Sequence, residues 1–359
     1  MAHKVLLAGG GTAGHIEPAL AVADALKTLQ SEITCEFLGT DGGLETLLVP
    51  KRGFRLRTIP KVVMPRAVKV QTVFFPLQLL RAFFSALKQL KEFDLLIGFG
   101  GYVSAPAYLA AFIRRIPIVI HEANARPGWA NRLGRHFAKV VAVNFDGVRQ
   151  KWPSAVLTGM PIRQSIASLA QIEDISTFRR LTIDTWGLDS SRPIVAIFGG
   201  SQGSRHINSV IEEFLLQGTE IQIIHAVGVN NPLPAQQANY LPLPYFHDMA
   251  AIYGAADLLI TRSGAVTCSE LASVGKFSIL IPLPHGNGEQ LDNAEALVAQ
   301  GSAIMISNEE FSADWLRNNL AAALEKARTF KPQLNHMNSG AAKRIAELSI
   351  SAISESAER

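Results

Sequence analysis

Only two cysteines occur in 359 residues, Cys35 and Cys268, far apart and in apolar surroundings. That excludes a disulfide framework and any zinc-ligand spacing, and the expectation is a reduced, cytoplasmic protein. No Asp-x-Asp pair is present and no cluster has metal-ligand spacing, so no bound metal is expected to hold a leaving diphosphate. No apolar run approaches the roughly 18–20 residues of a spanning helix. The chain enters the apolar run Val5-Leu6-Leu7 almost at once, so no leader segment is expected. Short-period repeats and low-complexity tracts are also missing. Charged residues make up 18 % and apolar ones 48 %, a balance that argues against disorder and for buried strands.

The charge is unevenly placed. Residues 1–162 carry 20 Lys and Arg against 10 Asp and Glu, and residues 163–359 carry 14 against 20. A basic front half beside an acidic back half points to an anionic surface or ligand for the front alone. Nucleic acid is not expected, because no reader motif and no groove-like interleaving of aromatics accompanies the basic residues. An anionic membrane surface fits better.

Apolar β-type runs alternate with helical stretches: 5–8, 34–38, 95–97, 118–120 and 140–143, then 194–198, 222–226, 258–261, 278–281 and 303–306. This rhythm reads as α/β, with two doubly wound parallel-sheet domains covered on both faces. The turn-rich stretch 158–163 suits a linker. The boundaries expected are residues 1–162 and 163–340, with a last helix in 341–359 packing back on the first domain.

Two glycine-rich loops carry the functional signal, Gly9-Gly-Gly-Thr-Ala-Gly14-His15 and Gly199-Gly-Ser201-Gln202-Gly203-Ser204. Each follows an apolar strand and opens a helix. Backbone N–H groups at such a turn point one way, and the helix dipole adds partial positive charge. Two anion cradles in two halves suggest domains facing across a cleft that holds two phosphorylated substrates. Gly9-x-Gly11-x-x-Gly14 also matches the dinucleotide fingerprint, with Asp41 as a ribose-binding acid. His15 sets it apart: the helix dipole disfavours its cation and leaves a neutral imidazole as a candidate base.

Further loops belong to the same sheet edges. Gly98-Phe-Gly100-Gly101-Tyr102 follows one strand, and His121-Glu122-Ala123-Asn124 follows the next. His121 and Glu122 read equally as structural, whereas Asn124 suits hydroxyl recognition. In the second half, Ser201 and Gln202 suit a phosphate. Arg262-Ser-Gly-Ala265-Val-Thr-Cys-Ser-Glu270 reads as strand, turn and helix, with Glu270 placed for ribose hydroxyls or as a capping acid. Gln290 and Asn293, after a Pro- and Gly-bent loop, suit sugar hydroxyls. Arg163 at the linker offers charge to a diphosphate. In residues 73–91, Leu77, Leu80, Phe84 and Leu87 form one stripe expected to face the core. Phe75, Leu79 and Phe83 form a second stripe, flanked by Arg81 and Lys88, expected to dip into an anionic bilayer.

With these segments in place the chain resembles the MurG family from the first strand to the last helix. The motifs are Gly10–His15, Gly98–Tyr102, His121–Asn124, Gly199–Gly203, Arg262–Glu270 and the Glu289-Gln290 loop. The resemblance implies the GT-B fold and a peripheral-membrane transferase needing no cofactor. It would move N-acetylglucosamine from its UDP ester to the C4 hydroxyl of an undecaprenyl-pyrophosphoryl muramyl-pentapeptide, with inversion, at the cytoplasmic face of the bacterial inner membrane and beside other cell-wall synthesis proteins. It also implies that Thr12, Ala13, Gly14, Asn124, Arg163, Ser201, the backbone at Phe246, Ala265, Val266, Thr267, Cys268, Ser269, Glu270 and Gln290 hold the donor, with Glu270 on the ribose. Gly14, His15, Gly100, Gly101 and Tyr102 would hold the acceptor diphosphate, and His15 and Asn124 would act at the reacting centre. Ala13, Ala123 and Glu289 depart from the family pattern, and Glu289 places a charge beside the sugar site. Competing readings are a nucleotide-linked oxidoreductase, a sugar-nucleotide epimerase on the same fold, and a non-catalytic binding protein.

Overall fold

The computed structural model describes residues 3–62, 70–172 and 175–357, with the side chains of 70–75, 175 and 357 outside the described set. The chain divides into two compact units, residues 1–163 with 337–359, and residues 164–336.

In the first unit, β1 (Lys4–Ala8), α1 (Ala13–Leu29), β2 (Thr34–Thr40), α2 (Glu45–Lys51), β3 (Arg55–Ile59) and α3 (Val70–Gln89) form one wing. The other wing is β4 (Leu95–Gly98), α4 (Ser104–Ile113), β5 (Ile118–Glu122), α5 (Trp129–Gly134), β6 (Val140–Val143), α6 (Asp146–Lys151) and β7 (Val156–Leu157). Among the described residues the sheet order is β3-β2-β1-β4-β5-β6-β7, and every pairing is parallel.

The second unit runs through α7 (Gln164–Leu169), α8 (Ile175–Thr185), β8 (Ile194–Phe198), α9 (Arg205–Leu215), β9 (Gln222–Ala226), β10 (Tyr240–Leu243), α10 (Met249–Ala255) and β11 (Leu258–Thr261). It continues with α11 (Ala265–Val274), β12 (Ser278–Leu280), α12 (Glu289–Ala299), β13 (Ala303–Met305) and α13 (Ala313–Thr329). Its six strands are ordered β10-β9-β8-β11-β12-β13, again all parallel.

Both sheets therefore reverse direction at their first strand. The crevice outside the carboxyl ends of β1 and β4, and of β8 and β11, is where open α/β sheets take ligands. The two glycine loops lie at these two switch points.

The strands missed by the sequence rhythm are edges. β3, Arg55-Leu-Arg-Thr-Ile59, alternates charge with apolar side chains, and β10 contains Pro242, which a central strand would not tolerate. β7 is two residues long.

The last helix, α14 (Ala341–Ala357), lies against α1, and its Ile345, Ala346, Ala352 and Ile353 join the core that holds Val5, Leu7 and Leu26. Burial of the two isoleucines alone stabilises the unit by roughly 3–6 kcal/mol gross. Arg344 donates to the Thr158 carbonyl, and the Asn338 carboxamide accepts from Met160 N–H at 3.0 Å, so departing and returning segments are tied to one block.

α3 inverts the expected faces at every described position but Leu87, which packs on the core as expected. Leu79, Phe83 and Leu87 pack on the core with the buried Ala82 and Ala86, whereas Leu77, Leu80 and Phe84 are 47 %, 51 % and 62 % exposed. The small side chains Ala82 and Ala86 decide the face, because they let α3 approach the Ala-rich α4, with which it packs. Phe75 lies outside the described side chains. Arg81 and Lys88 are exposed.

Candidate active site

In the first unit the loop between β1 and α1 is built on a carboxylate that the sequence reading overlooked. Glu45, at the start of α2, is fully buried. Its Oε2 accepts the Gly11 N–H at 2.9 Å, and its Oε1 accepts both the N–H and the hydroxyl of Thr40 at 2.9 Å. A Cβ on Gly10, Gly39 or Gly43 would come within 2.6, 2.5 or 2.2 Å of the Glu45 side chain, which explains why glycine surrounds it. One donor of the expected anion cradle is thus already spent on an internal anion. Asp41, the acid suggested for a ribose, is exposed in the turn after β2.

His15 sits in the first turn of α1, half-buried. Its Nδ1 lies 3.2 Å from the Gly10 carbonyl and 3.3 Å from the Thr12 hydroxyl. A carbonyl can only accept, so Nδ1 carries the proton and Nε2 keeps the lone pair. Desolvation pushes the imidazole below its ordinary pKa, opposed by the Gly10 hydrogen bond and the Glu45 charge. The ring is held toward its neutral form, with burial the leading cause. Thr12 spends its hydroxyl near His15 and makes no side-chain cap to α1.

The loop after β4 meets this ring. Gly100 and Gly101 adopt φ of +90° and +80°, and a Cβ at either would lie about 3.5 Å from His15 ring atoms. Tyr102, 41 % exposed, leans on Trp129 at 6.4 Å between centroids.

Below them runs a buried chain of polar groups. Tyr108 donates its hydroxyl to Asn131 at 2.7 Å, and Asn131 donates to the Glu122 carboxylate at 3.0 Å. Glu122 also accepts the backbone N–H of Asn124 at 2.9 Å and of Gly128 at 3.1 Å. Burial raises the Glu122 pKa against these three donors and the Asn124 side-chain amide. Glu122 thus shapes the loop that carries Asn124, which is half-buried. His121 is structural: it is fully buried, its Nε2 faces the Gly159 carbonyl at 3.1 Å, and desolvation pushes its pKa down to about 4.

Arg163 is no loose linker cation. It pairs with Glu17 of α1 at 3.2 Å, both side chains being largely buried.

In the second unit the glycine loop ends in Ser204, which caps α9 by accepting from Ile207 N–H. Ser201 and Gln202 therefore precede the helix and do not start it. The residue that organises this edge is Arg262, 7 % exposed. Its guanidinium donates to Ser204 Oγ and Asn308 Oδ1 at 2.8 Å, and to the carbonyls of Ile281 and Pro282 at 3.0 and 3.1 Å. Among the described residues it has no carboxylate partner. Burial lowers its pKa from the ordinary arginine value.

α11 opens at Gly264 with no side-chain cap. Val266 and Thr267 are half-buried, and the Cys268 and Ser269 side chains are buried. Burial pushes the Cys268 thiol up to about 12. Glu270 is 2 % exposed, and Tyr253 donates its hydroxyl to Oε2 at 2.9 Å, anchoring the carboxylate from behind. Phe246 is buried edge-on against Phe198.

Gln290 accepts Leu283 N–H at 3.0 Å, so what it can offer a sugar is its amide donor. Asn293 is corrected: it is buried and donates to the Ser263 carbonyl, so it holds the turn together and does not read hydroxyls. Glu289, the first residue of α12, accepts Asn287 N–H at 3.1 Å, a bond within the loop that leads into the helix. No cluster of three metal-ligating side chains occurs among the described residues.

Models of the glycosyltransferase family 28 N-terminal and C-terminal domains match residues 5–143 and 194–350. A relative from Corynebacterium diphtheriae is 43 % identical over 91 % of this chain and 89 % of its own. It is named UDP-N-acetylglucosamine–N-acetylmuramyl-(pentapeptide) pyrophosphoryl-undecaprenol N-acetylglucosamine transferase. The chain belongs to the MurG family. The crystal structure of Acinetobacter baumannii MurG is similar over 98 % of this chain and all of its own, at 27 % identity and a TM-score of 0.64.

A UDP-N-acetylglucosamine 2-epimerase from Neisseria meningitidis gives a TM-score of 0.68 at 15 % identity, covering 97 % and 100 %. That likeness reports the fold alone. Sequence kinship decides between the readings, and this MurG-family chain is a glycosyltransferase rather than an oxidoreductase or a passive binding protein.

Proposed function

We propose that this MurG-family enzyme transfers N-acetylglucosamine from its UDP ester to the C4 hydroxyl of the muramyl sugar on an undecaprenyl-pyrophosphoryl pentapeptide carrier, with inversion. The observation that carries the reading is His15, held by the Gly10 carbonyl as the Nδ1–H tautomer with Nε2 left to accept a proton. In the first unit Nε2 takes the acceptor hydroxyl proton as that oxygen attacks the anomeric carbon. The bond from the anomeric carbon to the diphosphate breaks, and its electrons leave with UDP. Gly14, Gly100, Gly101 and Tyr102 bind the acceptor diphosphate, and Asn124, placed by Glu122, orients the sugar. Thr12 and Ala13 line the same turn.

In the second unit Ser201, the N–H groups at Ala265 to Thr267, the Phe246 backbone, Glu270 and Gln290 hold the donor. Arg262 fixes Ser204 and supplies buried positive charge beneath the departing diphosphate. In the first unit Arg163, set by Glu17, offers positive charge to a diphosphate. The role expected of Cys268 and Ser269 reduces to their backbone.

Docking to an anionic bilayer is assigned to Leu77, Leu80 and Phe84 with Arg81 and Lys88. Phe112 and Ile113 at the end of α4, 55 % and 60 % exposed, extend it. α4 adjoins α3 there, since Arg114 donates to the Leu87 carbonyl at 2.5 Å. No helix among the described residues is long and apolar enough to cross a membrane, and this patch supports peripheral attachment to the face where the lipid carrier resides.

The test is incubation of the purified protein with UDP-N-acetylglucosamine and a short-chain lipid-linked muramyl-peptide. UDP release with a new β-linked disaccharide is expected. Release without acceptor, or epimerised UDP-sugar as the product, would overturn the assignment.

A further inference from the structure

The Gly10–Gly11 peptide group has a partner at each end. Its N–H donates to Glu45 Oε2 at 2.9 Å, and its carbonyl faces His15 Nδ1 at 3.2 Å. We propose that Glu45 acts through this peptide as the positioning residue for His15, fixing its tautomer and raising its basicity, so that carboxylate, peptide and imidazole form one relay. This rests on the reading of His15 as the base.

The physics has three parts. A carboxylate on the peptide N–H polarises the amide and makes its carbonyl a stronger acceptor, because hydrogen bonds in a chain reinforce one another away from water. A stronger acceptor on Nδ1–H holds the ring orientation and pushes electron density to Nε2, as a carboxylate does when bonded directly to a histidine. The negative charge also favours the imidazolium that forms when the proton arrives, while burial disfavours it.

The surroundings leave Glu45 as the charge that acts on the ring. On α1, Glu17 is engaged by Arg163. From the β4 loop the ring meets Gly100 and Gly101, and from the side of Gly100 the neutral Asn131. Thr12 contributes a hydroxyl that can share the Nδ1 proton as a second acceptor.

The site is built for this carboxylate. Its other oxygen is held twice by Thr40, and the three glycines around it leave room for nothing larger than a hydrogen. A merely structural acid could sit anywhere beneath the loop, but this one bonds the peptide that bonds the base.

Nitrogen NMR of ¹⁵N-histidine-labelled full-length protein tests the relay in two ways. In the wild type, neutral His15 is expected as the Nδ1–H tautomer, and an Nε2–H form would overturn the proposal without any substitution. In Glu45→Gln, a near isostere, the His15 pKa is expected to fall measurably. In transfer assays kcat should drop about tenfold with the acidic limb of its pH profile moved to lower pH, while KM for the UDP-sugar stays within about twofold. An unmoved His15 pKa in a folded variant would overturn the relay. A shifted NMR pKa with an unmoved rate profile would support the relay and remove His15 as the base.

Discussion

The glycine loop of the first unit and that of the second begin alike, as strand, turn and helix at a switch point, and end as electrostatic opposites. The first is underlain by a buried carboxylate, Glu45, that already occupies Gly11 N–H. The second is underlain by a buried guanidinium, Arg262, whose partners are all neutral oxygens. One loop therefore lies over negative charge, which favours a nearby cation, and the other over positive charge, which favours a nearby anion. The same backbone device lies over opposite charges in the two units, and the proposed division into proton transfer and phosphate binding rests on that difference.

Removing the working group from the first loop should have the largest effect. His15→Ala is expected to lower kcat by about 10²–10⁴-fold, measured by UDP release with lipid acceptor, with donor affinity unchanged. Arg262→Met should weaken UDP binding by about tenfold or more in calorimetry, because charged hydrogen bonds at the second loop are lost. Retained affinity would make the contrast between the loops structural only.

The buried histidines give a third comparison across units. His121 on β5 and His225 on β9 are both fully buried, and desolvation depresses both to about 4. Between the unfolded value near 6.5 and 4 the unfolded chain binds more protons. Each histidine therefore contributes stability that is complete above pH 6.5 and lost as pH falls, by roughly 3 kcal/mol. Urea midpoints should decline over that window, and His121→Gln should flatten the decline.

The smallest effect on the fold is expected at α3. Leu80→Asp with Phe84→Asp should release the protein from anionic vesicles in a sedimentation assay while changing stability by less than about 1 kcal/mol. Leu79→Asp, on the core side, should unfold the unit instead.

Much of this was legible in the chain. The two switch-point loops, ten of the strands and the return of α14 follow from apolar runs and glycine turns. What could not be read were choices made by packing. The two apolar stripes of α3 are equally good on a helical wheel, and Ala82 and Ala86 select between them only once α4 is opposite. Glu45 lies more than thirty residues from the glycine it serves. Its signal was the string of glycines, Gly39, Gly42 and Gly43, leading into a lone acid. Asn131 and Arg262 look like ordinary polar residues until Tyr108, Glu122, Ser204 and Asn308 converge on them. Asn293 fell to the opposite error, since a motif in sequence does not say which of its side chains face inward.

Calorimetric titration of UDP into the full-length wild type, His15→Ala and Arg262→Met tests the division of labour most directly. Wild-type affinity in His15→Ala together with a loss of about tenfold or more in Arg262→Met is predicted. Equal losses in both, or a loss confined to His15→Ala, would contradict it.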